Sequence, residues 1–232
     1  MNFRFSLGLS NGYGPRARRR NRIAAIISAV AFATGAQADP VTLLALGDSL
    51  TQGYGLPQGD GLVPRLQAWL RAQGAEVTVI NAGVSGDTTA GGKARLGWSL
   101  TPEVDAVMIE LGGNDLLRGM PPEQAKANLD AMLTEVTGRG LPTLLVGLAA
   151  PGNYGPAYQQ AFNAIWPDLA AKHQVLLLPD LLAPIAARTP EERAAEGLMQ
   201  GDNIHPSAKG VEMVVEALGP KVLELLQQVQ RD

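Results

Sequence analysis

The chain has 232 residues, no cysteine, two histidines (His173 and His205) and a formal charge of −3. That length suits one domain with a short extension and supports a full hydrophobic core without disulfide or metal staples. The missing cysteines exclude disulfides, thiolate metal sites and thiol catalysis, and two histidines leave little for a metal centre.

Charge is unevenly spread. Residues 1–38 hold six arginines and no acid, which leaves 13 basic against 22 acidic residues from Asp39 onward, a net of −9. A nucleic-acid-binding face has little support in that main body. Arg16–Arg22 is a dense positive run, Ile23–Thr34 is apolar, and Ala36-Gln37-Ala38 has the small-x-small form of a cleavage site. This reads as a secretory signal peptide over 1–38. The alternative, a membrane anchor, needs about 20 apolar residues, more than this stretch supplies. An arginine pair raises a twin-arginine route, but the apolar residue that should follow it is missing. The mature chain is expected to be 39–232, periplasmic or secreted, monomeric and without a membrane anchor.

The predicted elements then run in order. Val41–Leu46 is a continuous apolar run of the kind found in strands buried on both faces of a parallel sheet. Gly61–Arg71 has helical spacing and stops at Gly74. Val77–Ile80 is a second strand, leading into glycine-rich Asn81–Gly92, and a short helix is expected over Lys93–Leu100. Ala106–Leu111 is a third strand, Glu123–Val136 a helix closed by Gly138, and Thr143–Leu148 a fourth strand. Ala157–Lys172 reads as one helix and Val175–Leu178 as a fifth strand. After an alanine- and glutamate-rich stretch of no clear pattern comes a C-terminal helix over Ser207–Leu218 and Lys221–Val229, which Gly219-Pro220 should kink or split. Alternating strands and helices imply βαβ units, hence a three-layer α/β/α sandwich around a mostly parallel five-stranded sheet.

Ligands in such folds bind beyond the carboxyl ends of the strands. Three groups fall there. Gly47-Asp48-Ser49-Leu50 follows the first strand, placing a serine at the rim. Such a serine is a nucleophile if a base and an orienting partner lie within reach, and otherwise an ordinary turn or N-cap residue. Asp202-Asn203-Ile204-His205-Pro206 spaces an acid and a histidine so that one tight turn brings the carboxylate to Nδ1 and frees Nε2 as a base. The alternative is an Asp capping the following helix beside a solvent-facing histidine. His173, near a predicted helix end, reads as a cation complementing the helix dipole. The loops Asn81–Thr88 and Gly112–Asp115 supply glycines and asparagines able to donate to an oxyanion with the Ser49 N–H, or to serve as simple turns. Gly86–Ala94 looks like a phosphate loop but has an extra glycine before Lys93, and Ala94 where Ser or Thr is needed. No G-x-S-x-G elbow is present.

Taken together, Ser49 in GDSL, Gly86 in NAGVSGDT, Asn114 in GGND and His205 in DNIH resemble the four defining residues of the GDSL, or SGNH, hydrolase family, in order. Val41–Gly55, Val79–Thr88, Ile109–Gly119, Asn153-Tyr154-Gly155 and Asp202–Pro206 look most like its branch of secreted bacterial esterases, thioesterases and lysophospholipases. The resemblance implies a flavodoxin-like sandwich and hydrolysis of small-molecule esters and thioesters, with no cofactor and no metal. It implies Ser49 as nucleophile, His205 as base then acid, and Asp202 as orienting carboxylate. Oxyanion donors would be the N–H groups of Ser49 and Gly86 and the Asn114 side chain. Asp48 would organise the nucleophile turn. Leu116, Leu117 and Arg118, in a stretch running to Pro121 that matches a mobile loop, and Ala150 and Pro151 opposite it, would line the acyl pocket. Ala149 and Ala150 are small where relatives carry larger side chains. Two competing readings remain from the sequence: a carbohydrate O-acetyl esterase on the same triad, given little stacking surface by 5% aromatic content, and a flavodoxin-like binding module.

Overall fold

The structure, a computed structural model, describes residues 40–229 together with Gly8, Asn11 and Gly12. Apart from those three residues, the expected export signal and its cleavage point lie outside the described residues. Residues 40–229 fall within one compact unit, Ala38–Asp232. Among the described residues no helix is long and apolar enough to cross a membrane.

The apolar runs become strands. β1 (Val41–Gly47), β2 (Val77–Gly83), β3 (Ala106–Glu110), β4 (Thr143–Val146) and β5 (Leu176–Leu178) form one sheet in the order β2-β1-β3-β4-β5. Every pairing is parallel. Leu43, Leu44, Ala45 and Leu46 are completely buried, as helices on both faces require. On one side α2 (Leu62–Ala72) packs on α10 (Ala208–Leu226), which also meets α8 (Ala183–Ala186), with the short α9 (Pro190–Glu196) between α8 and α10 in the chain. Elsewhere α3 (Thr89–Ser99) packs on α5 (Pro122–Gly138), which also meets α6 (Pro156–Asn163) and α7 (Ile165–His173). The three-layer sandwich inferred from the alternation is thus present.

The strand order reverses between β1 and β3, and that topological switch point opens a crevice at the carboxyl ends of both strands. Gly47 is in register with Glu110 on one side and Gly83 on the other. The residues following these three positions therefore converge.

Several boundaries differ from the sequence pattern. β2 runs on to Gly83, so Asn81-Ala82-Gly83 is strand rather than loop. β3 and β4 end sooner than the apolar runs do. Helix α3 begins at Thr89 because Thr88 caps it through Gly91 N, and the Thr89 hydroxyl and N–H both donate to Asp115. The expected single helix over 157–172 is two, meeting at Ala164. Pro167 has no N–H to continue the ladder there.

The C-terminal helix is not split: α10 runs unbroken through Pro220. Gly219 lets it approach α2 closely, since a Cβ there would overlap the Trp69 indole. Gly219→Ala gains about 1 kcal/mol of helix propensity but overpacks by roughly 1–3 kcal/mol. A net loss of stability in urea melts is expected, smaller when Trp69 is shortened to Leu.

Candidate active site

The turn after β1 is built on Asp48. Its carboxylate caps α1 (Ser49–Gln52) by accepting from Leu50 N at 3.0 Å. Ser49 is the first residue of this short helix, so Asp48 takes the capping position and leaves the serine hydroxyl free. Asp48 is almost fully buried, and burial pushes its carboxyl up to about 6, against the hydrogen bonds from Leu50 and Asn114 that pull it down. Gly47 permits this tight packing, because a Cβ there would overlap the Thr51 side chain.

The serine does not stand alone. Its Oγ lies 2.9 Å from His205 Nε2. His205 Nδ1 lies 2.6 Å from Asp202 Oδ2, while Asp202 Oδ1 accepts from the N–H groups of Ile204 (2.9 Å) and His205 (3.0 Å). The three-residue spacing works because Asn203 adopts a left-handed φ of 54°, folding the chain back on the carboxylate. Those two N–H donors and the imidazole hold the Asp202 carboxyl down at about 2. Asp202 is not a helix cap, since Ser207 caps α10 through Gly210 N. The Tyr54 ring packs on the imidazole with centroids 4.7 Å apart. His173 sits elsewhere, in the last turn of α7, with Nε2 2.6 Å from Asp130 Oδ1.

Asn114, in α4 (Gly113–Leu117), donates from Nδ2 to Asp48 Oδ2 at 3.3 Å, which ties its amide to the turn that carries Ser49. One amide hydrogen is engaged there and the second is free to donate elsewhere. Gly86 has a φ of 83°, a conformation that favours glycine. Its carbonyl accepts from Arg118 at 2.8 Å, so Arg118 braces the 84–88 loop and is not part of the pocket wall.

A pocket of about 120 Å³ opens beside Ser49 and His205, with Asp48, Asn114, Leu116, Leu117, Leu148 and Ile204 on its walls. Ala150 and Pro151 line a neighbouring groove of about 360 Å³ instead, and Ala149 lines both. The end of α4 and the stretch after it are held by two hydroxyls: Tyr154 donates to Leu117 O at 3.2 Å and Tyr158 to Met120 O at 2.9 Å. Among the described residues no group of three side chains could hold a metal ion.

Two participants have no motif to announce them. Arg95 of α3 donates to Asp87, to Ala82 O and to Gly47 O at 2.6, 2.7 and 2.8 Å, joining both strand ends to the loop that carries Gly86. Glu110, fully buried at the end of β3, accepts from the Thr51 hydroxyl at 2.8 Å. An acid closing an otherwise apolar strand was the available sign of Glu110; Arg95 sits in an ordinary helix and offered none.

The model of the GDSL-like Lipase/Acylhydrolase family matches residues 45–213. The chain belongs to this family. It is 40% identical over 191 residues to Esterase TesA of Pseudomonas aeruginosa PAO1, covering 82% of this chain and 92% of that protein. It is 35% identical over 187 residues to Thioesterase 1/protease 1/lysophospholipase L1 of Escherichia coli K12, covering 80% of this chain and 85% of that one. Among solved structures, AlinE4, an SGNH-hydrolase family esterase, superposes with a TM-score of 0.66 at 42% identity, covering 82% of this chain and 98% of AlinE4. The contacts among Ser49, His205 and Asp202 lie at the crevice to which the sheet's switch point directs attention.

Proposed function

We propose that this protein hydrolyses carboxylic esters and thioesters through an acyl-enzyme on Ser49. The observation that carries the reading is the unbroken chain from Ser49 Oγ to His205 Nε2 and from His205 Nδ1 to Asp202. Ser49 Oγ attacks the carbonyl carbon while His205 Nε2 takes its proton. Asp202 holds Nδ1–H and stabilises the imidazolium. The developing oxyanion is met by the N–H groups of Ser49 and Gly86 and by the Asn114 amide. As the tetrahedral intermediate collapses, His205 returns the proton to the leaving alcohol or thiol. Water, deprotonated by the same imidazole, then releases the acid and frees Ser49.

The apolar pocket walls suit an acyl chain. The names of the relatives, esterase in one case and thioesterase and lysophospholipase in the other, support both substrate classes. The enzyme works as a monomer, exported by the segment 1–38; secreted material should begin near Asp39, and recovery of the intact chain in membranes would overturn this.

The test is a series of p-nitrophenyl esters and acyl-CoAs of increasing length, run beside Ser49→Ala and with an organophosphonate label. A burst of nitrophenol and labelling at Ser49 are expected; undiminished turnover by Ser49→Ala overturns the assignment. Asn114→Ala should keep KM within a small factor and lower kcat by about 10²–10³, because its amide is better used in the transition state than in the ground state.

A further inference from the structure

We propose that Glu110 is a positioning residue for the nucleophile turn, kept as an uncharged carboxylic acid beneath Asp48–Thr51. The proposal rests on Ser49 being the nucleophile, and adds the group that sets its helix in place.

Glu110 has no solvent exposure. Its register partner is Gly47, so its side chain sits at the strand end from which the nucleophile turn departs. One oxygen, Oε2, accepts from the Thr51 hydroxyl, itself fully buried. The other, Oε1, is buried and has no hydrogen-bond partner among the described residues. A buried carboxylate normally has both oxygens satisfied and a cation nearby. Here the charged groups around it run the other way. Asp48 lies on the adjoining turn and repels a second negative charge. Asp115 of α4 adds another acid near Asp48, its oxygens taken by Thr89. The guanidinium of Arg95 spends its donors on Asp87 and two backbone carbonyls. His205 lies within range to interact with Asp48. Burial and the Asp48 charge together hold the Glu110 carboxyl well above the usual range, against the weaker pull of the nearby N–H groups of Asp48 and Thr51. A neutral acid buries no charge, which makes it the cheaper of the two states even with one oxygen unpartnered.

The neutral acid therefore pins Thr51, and with it the single turn of α1 that presents Ser49. It also leaves Asp48 as the sole charge there to accept from Asn114. The triad needs neither effect as chemistry; both are geometry, where a displacement near 1 Å can cost about 10²-fold in rate.

Glu110→Gln preserves shape and neutrality, and Glu110→Leu preserves bulk alone. With p-nitrophenyl butyrate, the Gln variant should keep kcat within about threefold, one ordinary hydrogen bond's worth. The Leu variant should lose at least about tenfold in kcat at unchanged KM. Stability gives a second readout that needs no activity. The unfolded carboxyl ionises near its ordinary 4.5 while the folded one keeps its proton, so wild-type stability falls as pH rises from 4.5 toward the folded value. The Gln side chain has no such dependence. Its Tm relative to wild type should accordingly rise as pH is raised above 4.5. A Gln variant as impaired as Leu, or a Tm difference flat with pH, overturns the neutral acid. Full kcat in Glu110→Leu overturns the positioning role. Should that variant not fold, Thr51→Val reads the same contact: a fall in kcat at constant KM supports it, and unchanged kcat refutes it. Turnover surviving Ser49→Ala would instead refute the functional reading and leave the pH-dependent stability result standing.

Discussion

Replacing Ser49 by alanine should lower kcat by about 10⁶ with substrate binding little changed, and His205→Ala should do nearly the same. The reason is that the two side chains form one device. In the proposed mechanism Ser49 Oγ, 2.9 Å from Nε2, is activated only because the imidazole accepts its proton as the bond to carbon forms. Either group alone is inert: a hydroxyl without a base is a weak nucleophile, and a base without the hydroxyl has nothing to activate but water. The double variant should therefore be no worse than the poorer single one, whereas independent contributions would multiply. The residual rate reports the oxyanion donors and binding, which neither substitution touches. Stability should move little for Ser49→Ala, since Asp48, not Ser49, caps α1. Kinetics of the three variants on one activated ester, with a melting curve for each, decide the matter. A double variant slower than both singles by the product of their losses would mean the two residues act separately.

What could be read from the sequence divides along a physical line. Strands buried on both faces write themselves as unbroken apolar runs, and β1, β3 and β4 were legible for that reason, whereas β2 and β5, the partly exposed edge strands, showed only as short apolar stretches between helical segments. Elements whose ends are set by tertiary bonds were not legible. Thr89 starts α3 where it does because it binds Asp115 across the molecule, and no local pattern announces a partner 26 residues away. Pro220 looked like a break, yet α10 tolerates it. The site shows the same division. Ser49, Asp202 and His205 were each open to a turn or cap reading alone, and stood out only together, through the order of motifs that resembles the GDSL family. The supporting residues are invisible in that way. Arg95 reaches Gly47 O, 48 positions distant, and Thr51 reaches Glu110, 59 positions distant. Only the strand order β2-β1-β3, which brings those carboxyl ends side by side, makes them neighbours.

Asp202→Asn is the substitution in which geometry alone decides the outcome. Asp202 Oδ1 accepts from two backbone N–H groups, Ile204 and His205, at 2.9 and 3.0 Å. An asparagine must keep its carbonyl oxygen there, because turning the amide would set N–H against N–H. Its Nδ2 then faces His205 Nδ1, across the 2.6 Å contact that Oδ2 makes in the wild type. An amide nitrogen donates and cannot accept, so Nδ1 must give up its hydrogen and the imidazole proton moves to Nε2. Nε2–H can donate to Ser49 but cannot take its proton. The side chains barely move, the relay runs in the wrong direction, and kcat should fall by about 10⁴ with KM nearly constant. The same substitution has a signature in stability. The Asp202 carboxyl is held down at about 2 in the folded protein against an ordinary 3.8, so its contribution is present above 3.8 and is lost as pH falls through 2. The Tm deficit of Asp202→Asn should thus be full at pH 5 and vanish by about pH 2, whereas a deficit that persists into acid would mean that the carboxylate is not held by those three donors. A kcat within tenfold of wild type would show that the turn lets the amide rotate, and that the imidazole keeps its working tautomer without help from residue 202.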